Sequence, residues 1–289
     1  MARGIDQFAG AAAITRPAVV ITGASEGIGR EIARCYAAKN HYALLLIARR
    51  QAKLQEAADA CRLAGATEVA VQAVDLLEEA AGERIEKRLE ELGWHCEILV
   101  NNAASGLSGP FLEQPPESIS DLLRLNIEVP IALMRRFVPQ MRTRGSGGVL
   151  NVSSLAGYVP GPWQATYYAS KAFLLSFSKS LAEELRTTGV TVTVVAPGPL
   201  RTRFHEKMSA GNARYVRYMP LGSPRWVARM ATAGLDWGIR VVLPGPVTAA
   251  LVLATRAMPN FLLAPLMGWL LDKPHDSKSP ANRGEVNGR

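Results

Sequence analysis

Ala18-Val19-Val20-Ile21-Thr22-Gly23-Ala24-Ser25-Glu26-Gly27-Ile28-Gly29 carries an unbroken apolar run into a glycine-rich turn that opens a helix. A strand without polar alternation is buried on both faces, which marks a parallel sheet covered by helices. Glycines at such a junction allow a tight turn and a close approach of backbone to ligand. The following helix N-terminus offers amide hydrogens and the positive end of a dipole to phosphate. The turn therefore predicts a cradle for a nucleotide pyrophosphate, built from Thr22, Gly23, Ser25, Glu26, Gly27, Ile28 and Gly29.

The same grammar continues outward from this stretch. Apolar strand candidates fall at 18–22, 42–47, 68–74, 97–101, 148–153, 190–196 and 239–243, with amphipathic helical patterns at 27–39, 51–64, 77–92, 117–143, 163–187 and 224–237. Alternation of this kind predicts an α/β fold: a Rossmann-type, doubly wound parallel sheet of about seven strands with helices on both faces. Its ligands bind beyond the carboxyl ends of the strands. No Pro/Gly/Ser-rich linker divides the chain, so 18–245 reads as one domain. Residues 1–17 read as a flexible extension, too short in apolar run for a signal peptide. Residues 246–271 read as an apolar helical extension and 272–289 as a polar, disordered tail.

Composition narrows the function classes. Of 289 residues, 48% are hydrophobic and 20% charged, enough to bury a sizeable core. The three cysteines, Cys35, Cys61 and Cys96, lack C-x-x-C spacing, so neither a disulfide framework nor a metal site is expected, and a reducing cytoplasm is the expected compartment. The net charge of +8 is dispersed among acids along helical stretches, which argues against nucleic-acid binding and suits an anionic cofactor or substrate.

Two further groups carry chemistry. The second strand ends in Ile47-Ala48-Arg49-Arg50, where dinucleotide sites often place an acid for the ribose 2′-hydroxyl. Ala48, Arg49 and Arg50 instead leave room and charge for a 2′-phosphate, so NADP(H) is preferred and NAD(H) is the alternative; Glu26 is an acid that counts against phosphate. Ser154 ends an apolar strand, and thirteen residues later Tyr167 stands four before Lys171 on a helical pattern. Residues four apart share a helix face, so the spacing predicts an ammonium beneath a phenol. At about 4 Å and an effective dielectric near 20 the attraction approaches ~4 kcal/mol, enough to hold the phenol partly ionised. Tyr168 has Ala172 at the corresponding position and is expected to pack.

Together these residues resemble the short-chain dehydrogenase/reductase family over about 18–243. The resemblance rests on the T-G-x-x-x-G-x-G turn (Thr22, Gly23, Gly27, Gly29), Asp75-Leu76, Asn101-Asn102-Ala103 and Asn126. It continues through Ser154, Tyr167 and Lys171 to Pro197-Gly198 and Thr202. Ala104 departs from the glycine usual after Asn-Asn-Ala. The resemblance implies hydride transfer between NADP(H) and a carbonyl or alcohol carbon, in either direction, with Tyr167 as proton donor and Ser154 stabilising the developing alkoxide. Lys171 would grip the nicotinamide ribose, and Asn126 would hold a water linking Lys171 to solvent; the residue-level alternative is that Asn126 kinks its helix near Pro130. Asp75, Leu76, Asn102 and Ala103 would border the adenine side, Asn101 would support the central strand, and Pro197, Gly198, Leu200 and Thr202 would border the nicotinamide. It further implies a homodimer or homotetramer paired through 117–143 and 163–187. The contrasting reading is a protein that senses NADP(H) without turnover.

Segments 104–116, 155–163 and 199–222 should rim the substrate pocket. Leu107, Phe111, Tyr158, Val159, Trp163, Phe204, Met208, Tyr215 and Met219 would make it apolar, while Arg201, Arg203, Lys207, Arg214 and Arg217 add positive charge. The mixture predicts a lipophilic, carboxylate-bearing or acyl-like substrate, a terpenoid or steroid being alternatives. His205 reads as a surface or lid residue. Residues 246–271 are interrupted by Arg256, Pro259 and Pro265, which argues against a spanning helix. The segment is expected to cover the pocket, pack on a partner subunit, or make peripheral membrane contact.

Overall fold

The computed structural model describes residues 15–202, 204–208, 210, 213–218 and 221–272, without the side chains of His205, Lys207, Arg217, Tyr218 and Arg256. Seven strands form one sheet: β1 (Arg16–Thr22), β2 (Ala43–Ala48), β3 (Val69–Ala73), β4 (Trp94–Asn101), β5 (Gly147–Val152), β6 (Val190–Val195) and β7 (Val241–Val242). Their order is β3-β2-β1-β4-β5-β6-β7, and every pairing is parallel. Strand order reverses at β1, which opens a crevice at the carboxyl ends of β1 and β4.

Period-two alternation sends successive side chains to opposite faces. Val19, Ile21, Leu44, Leu46, Val100 and Leu150 pack one face against α1 (Gly27–Lys39), α2 (Gln51–Leu63) and a helix near the end of the fold, Pro224–Asp236. Ala18, Val20, Leu45, Ile47, Leu99 and Val149 pack the other against α3 (Ala81–Glu91) and two long helices nearer the middle of the chain. Both clusters are made of apolar side chains, so the strands are covered on both faces.

The helix expected over 117–143 is three pieces: α4 (Pro116–Leu123), a π turn (Arg124–Glu128) and α5 (Val129–Arg144). Pro130 has no N–H for the carbonyl of Asn126, so the ladder cannot continue with its ordinary spacing. The N–H of Val129 reaches the carbonyl of Arg124 instead, five residues back. Beyond it lie α6 (Ala165–Glu184), two short helices α7 (Phe204–Lys207) and α8 (Arg214–Tyr218), then α9 (Pro224–Asp236), α10 (Pro246–Ala257) and α11 (Asn260–Leu271). Pro259 separates the last two, as an extended residue before α11.

Both ends depart from the expected boundaries. β1 begins at Arg16, whose N–H donates to the Gly93 carbonyl at 3.0 Å and whose guanidinium pairs with Glu68 at 2.8 Å. Pro17 brings no donor, a loss that a strand's first residues tolerate. Asp272 is tied to Arg214 through its carboxylate, at 3.1 Å, and through its backbone. Residues 1–14 and 273–289, the greater part of the expected extension and tail, lie outside the described residues. No helix among the described residues is long and apolar enough to cross a membrane.

Candidate functional site

A cavity of about 1100 Å³ lies beyond the carboxyl ends of the strands. It runs from Arg49 and Arg50 past the glycine turn and the α6 side chains to the inner faces of α10 and α11. Gly23, Ser25, Glu26, Gly27, Ile28, Asp75, Leu76, Asn102, Ala103, Ser154, Tyr167, Lys171, Pro197, Gly198, Leu200 and Thr202 all line it. Residues distant in sequence thus converge on one surface.

The turn is locked by hydrogen bonds between β1 and β4. Thr22 Oγ1 donates to the Val100 carbonyl at 3.1 Å and accepts from the N–H groups of Asn102 and Ala103 at 3.0 and 3.1 Å. Asn102 Nδ2 donates to the carbonyls of Thr22 and Gly23. Gly23 has φ +64°, and a Cβ there would lie 2.8 Å from Asn102 Nδ2. Only glycine leaves this backbone bare toward a ligand. Thr22 and Gly29, expected to touch cofactor, do not line the cavity. Thr22 is saturated by protein partners, and a Cβ on Gly29 would run into Asn102 Nδ2 and the Gly23 carbonyl, so both shape the turn from behind.

At the far end, Arg50 pairs with Glu26 at 3.1 Å, and Arg49 stands 3.9 Å from Asp75 with its side chain 75% exposed. Glu26 therefore orients an arginine across the mouth as well as adding negative charge there. Asp75 Oδ1 also accepts from Leu77 N at 3.1 Å, which fixes its turn.

Ser154 follows β5 and caps a 3₁₀ turn, accepting from Ala156 N at 3.1 Å. Tyr167 and Lys171 project from α6, which is anchored to β5 by Ser153 Oγ donating to the Lys171 carbonyl at 2.8 Å. The expected ammonium beneath the phenol is corrected in one respect. Lys171 Nζ lies 5.8 Å from the Tyr167 ring centroid and donates to the Val152 carbonyl at 3.0 Å. Burial draws the Lys171 pKa down to about 8. Burial likewise pushes the Tyr167 phenol above its ordinary range; the neighbouring Ser154 hydroxyl acts against the rise and Tyr215 adds to it. The phenol is thus held protonated rather than partly ionised, because desolvation outweighs an ammonium directed elsewhere.

Asn126 does not line the cavity. It is buried in the π turn, where Oδ1 accepts from Ser105 N at 2.9 Å and Nδ2 donates to the Ser105 carbonyl and to Ser170 Oγ, at 2.9 and 3.0 Å. Both amide hydrogens are committed, so the side chain clamps the loop after β4 to α6. Asn101 Nδ2 donates to Asn151 Oδ1 at 2.8 Å across paired strands, and Asn151 Nδ2 to Ser178 Oγ at 2.9 Å, a polar path from the central sheet into α6.

Among the rim residues, Leu107, Val159, Phe204, Met208, Tyr215 and Arg201 line the cavity, whereas Phe111, Tyr158 and Trp163 do not. Arg214 is turned to Asp272 and the Trp269 carbonyl. Arg203 and Met219 lie outside the described residues, as do the side chains of His205, Lys207 and Arg217. Tyr168 packs edge-on against Tyr167, centroids 5.9 Å apart, and shares the cavity wall. Gln164 was not anticipated. It lies three residues before Tyr167, is 2% exposed, lines the cavity, and its side chain hydrogen-bonds that of Tyr215. Its place as the residue that opens α6, three before Tyr167, was the available signal.

The family model for short chain dehydrogenases matches residues 17–213, the stretch that holds the glycine turn and all three of Ser154, Tyr167 and Lys171. The chain belongs to this family. Among curated family members, ketoacyl reductase HetN of Nostoc sp. is 31% identical over 185 residues, covering 64% of this chain and 64% of its own. Very-long-chain 3-oxoacyl-CoA reductase of Pyricularia oryzae is 37% identical over 180 residues, 61% of this chain and 54% of its own. The match thus spans between half and two thirds of these relatives' length. A short-chain dehydrogenase from Sphingobium yanoikuyae, solved in complex with NADPH, aligns with a TM-score of 0.74 at 29% identity, covering 91% of this chain and 99% of the other.

Proposed function

We propose that the protein is an NADP(H)-dependent reductase that delivers a hydride to the ketone carbon of a lipophilic, acyl-like substrate. The observation that carries this reading is the convergence of Ser154, Tyr167 and Lys171 on the wall of the same cavity that the glycine turn opens into.

The residues present fit a dinucleotide. The bare backbone at Gly23 and Gly27 and the first amides of α1 would hold the pyrophosphate, Asp75 and Leu76 the adenine, and Arg49 and Arg50 a 2′-phosphate. Pro197, Gly198, Leu200 and Thr202 would border the nicotinamide, which supplies the hydride when bound. Tyr167 gives its proton to the developing alkoxide, and Ser154 donates a hydrogen bond to the same oxygen as its charge grows. Lys171, whose pKa burial draws down to about 8, would offer its ammonium to a ribose hydroxyl of the bound coenzyme.

The names of two relatives, a ketoacyl reductase and a very-long-chain 3-oxoacyl-CoA reductase, support the acyl-like assignment. The apolar wall from Leu107 to Leu270 accommodates the chain. Initial rates on 3-oxoacyl thioesters of increasing length, with NADPH and with NADH, test the reading. We expect kcat/KM to climb with chain length and to fall about tenfold or more with NADH, since one charge-assisted contact is worth about 1.5–3 kcal/mol. Equal rates with both coenzymes and no response to length would overturn it.

A further inference from the structure

We propose that the outer face of α10 and α11, with the neighbouring tryptophans, is a docking surface for an anionic lipid bilayer. Of residues 246–271 only Arg256 is charged. The inner faces line the cavity, yet the outer faces present Val247, Leu253, Phe261, Leu262, Leu266 and Trp269 to solvent, with Phe261 75% and Leu253 72% exposed. A helix apolar all round is ordinarily enclosed by protein or lipid.

The patch extends beyond the two helices. Trp163 Nε1 donates to the Gly268 carbonyl at 3.1 Å, and the Trp163 carbonyl accepts from Gly109 N at 2.8 Å, just before exposed Phe111 and Leu112. Contiguous apolar surface of this kind marks an interaction site. Trp163 and Trp269 each pair an apolar ring with a polar edge, as side chains at a lipid headgroup boundary do. The guanidinium of Arg214 lies 5.3 Å from the Trp269 ring centroid.

Charge selects the occupant. The segment 201–217, which ends in α8 packed beside α11, holds in sequence Arg201, Arg203, Lys207, Arg214 and Arg217 against the single acid Glu206, Arg214 being paired with Asp272. A twofold contact between copies through this face would set that basic segment against itself. Anionic headgroups would complement it while acyl chains receive the apolar face, the pairing used by interfacial helices. The polar residues 273–289 lack the apolar surface to cover the patch. Leu266 belongs both to the exposed face and to the cavity wall, so a lipophilic molecule could pass from bilayer to cavity at that point.

Flotation of the full chain with vesicles of phosphatidylcholine, alone or equimolar with phosphatidylglycerol, tests this without any measurement of turnover, so the outcome does not depend on the proposed reaction. We expect flotation with the anionic vesicles that falls at high salt, and a loss of about tenfold or more in the double variant Phe261→Asp, Leu262→Asp. Neither residue lines the cavity, and unchanged circular dichroism and melting temperature would establish that the variant is folded. Wild-type protein that stays with the soluble fraction, or a variant that floats equally well, would overturn the proposal. So would light scattering that shows the substitution converting a dimer to a monomer with no change in lipid binding, which would make the face a contact between copies.

Discussion

Replacing Tyr167 by phenylalanine removes one hydroxyl from a close-packed wall whose rings, Tyr168 and Phe204, lie 5.9 and 5.6 Å away. We expect kcat to fall by about 10²–10⁴, the usual worth of a positioned proton donor, while coenzyme affinity by fluorescence titration stays within about twofold; turnover near wild type would remove the role. Lys171 sets a pH limb. With its pKa drawn down to about 8, kcat/KM for the coenzyme should decline above that pH as the ammonium loses its proton, and the decline should vanish in Lys171→Arg. The same shift has a sign for stability. The unfolded chain holds more protons than the native one between about pH 8 and the ordinary lysine value of 10.5, so this group's contribution to stability rises across that window and is absent below it. Sequence spacing placed Tyr167 and Lys171 on one helix face, but it carried no information on burial or on the Val152 carbonyl that accepts the lysine's hydrogen bond. That is why the acidity of the phenol was misjudged and why Gln164, an unremarkable polar residue in the sequence, was missed.

The turn between β1 and α1 is the element most exposed to substitution. Gly23→Ala places a methyl carbon against Asn102 at a positive φ, costing about 1–3 kcal/mol; melting should fall by roughly 3–10 °C, with coenzyme binding weakened as the turn shifts. Unchanged melting and binding would mean that the turn yields more easily than its hydrogen bonds imply. Strands were legible because each is a short apolar run bounded by glycine, proline or charge, as in Ala43–Ala48. The break in the long middle helix was half legible: Pro130 announced a disturbance, while its form depended on Asn126 bonding to Ser105 and Ser170, contacts that span 21 and 44 residues of sequence. A wide turn fixed by such distant partners has no local signature.

Across the whole molecule, the two clusters that cover the sheet contain no residue from α10 or α11. Ending the chain after Gly245 should therefore preserve the circular dichroism spectrum and coenzyme binding, with melting lowered by only a few degrees, while turnover of long substrates falls about tenfold as Leu251, Met258, Leu263 and Leu270 leave the cavity wall. Loss of cooperative unfolding in the shortened chain would show that the two helices belong to the folding unit. The parallel sheet also gives the molecule a polarity. Arg16 enters at the amino ends of the strands, opposite the cavity, whereas Asp272 leaves beside α8 and α11. A fluorescent reporter or a bead linkage joined directly ahead of Arg16 would hang clear of the entrance, while the same cargo joined directly after Asp272 would crowd the approach of any bulky reactant.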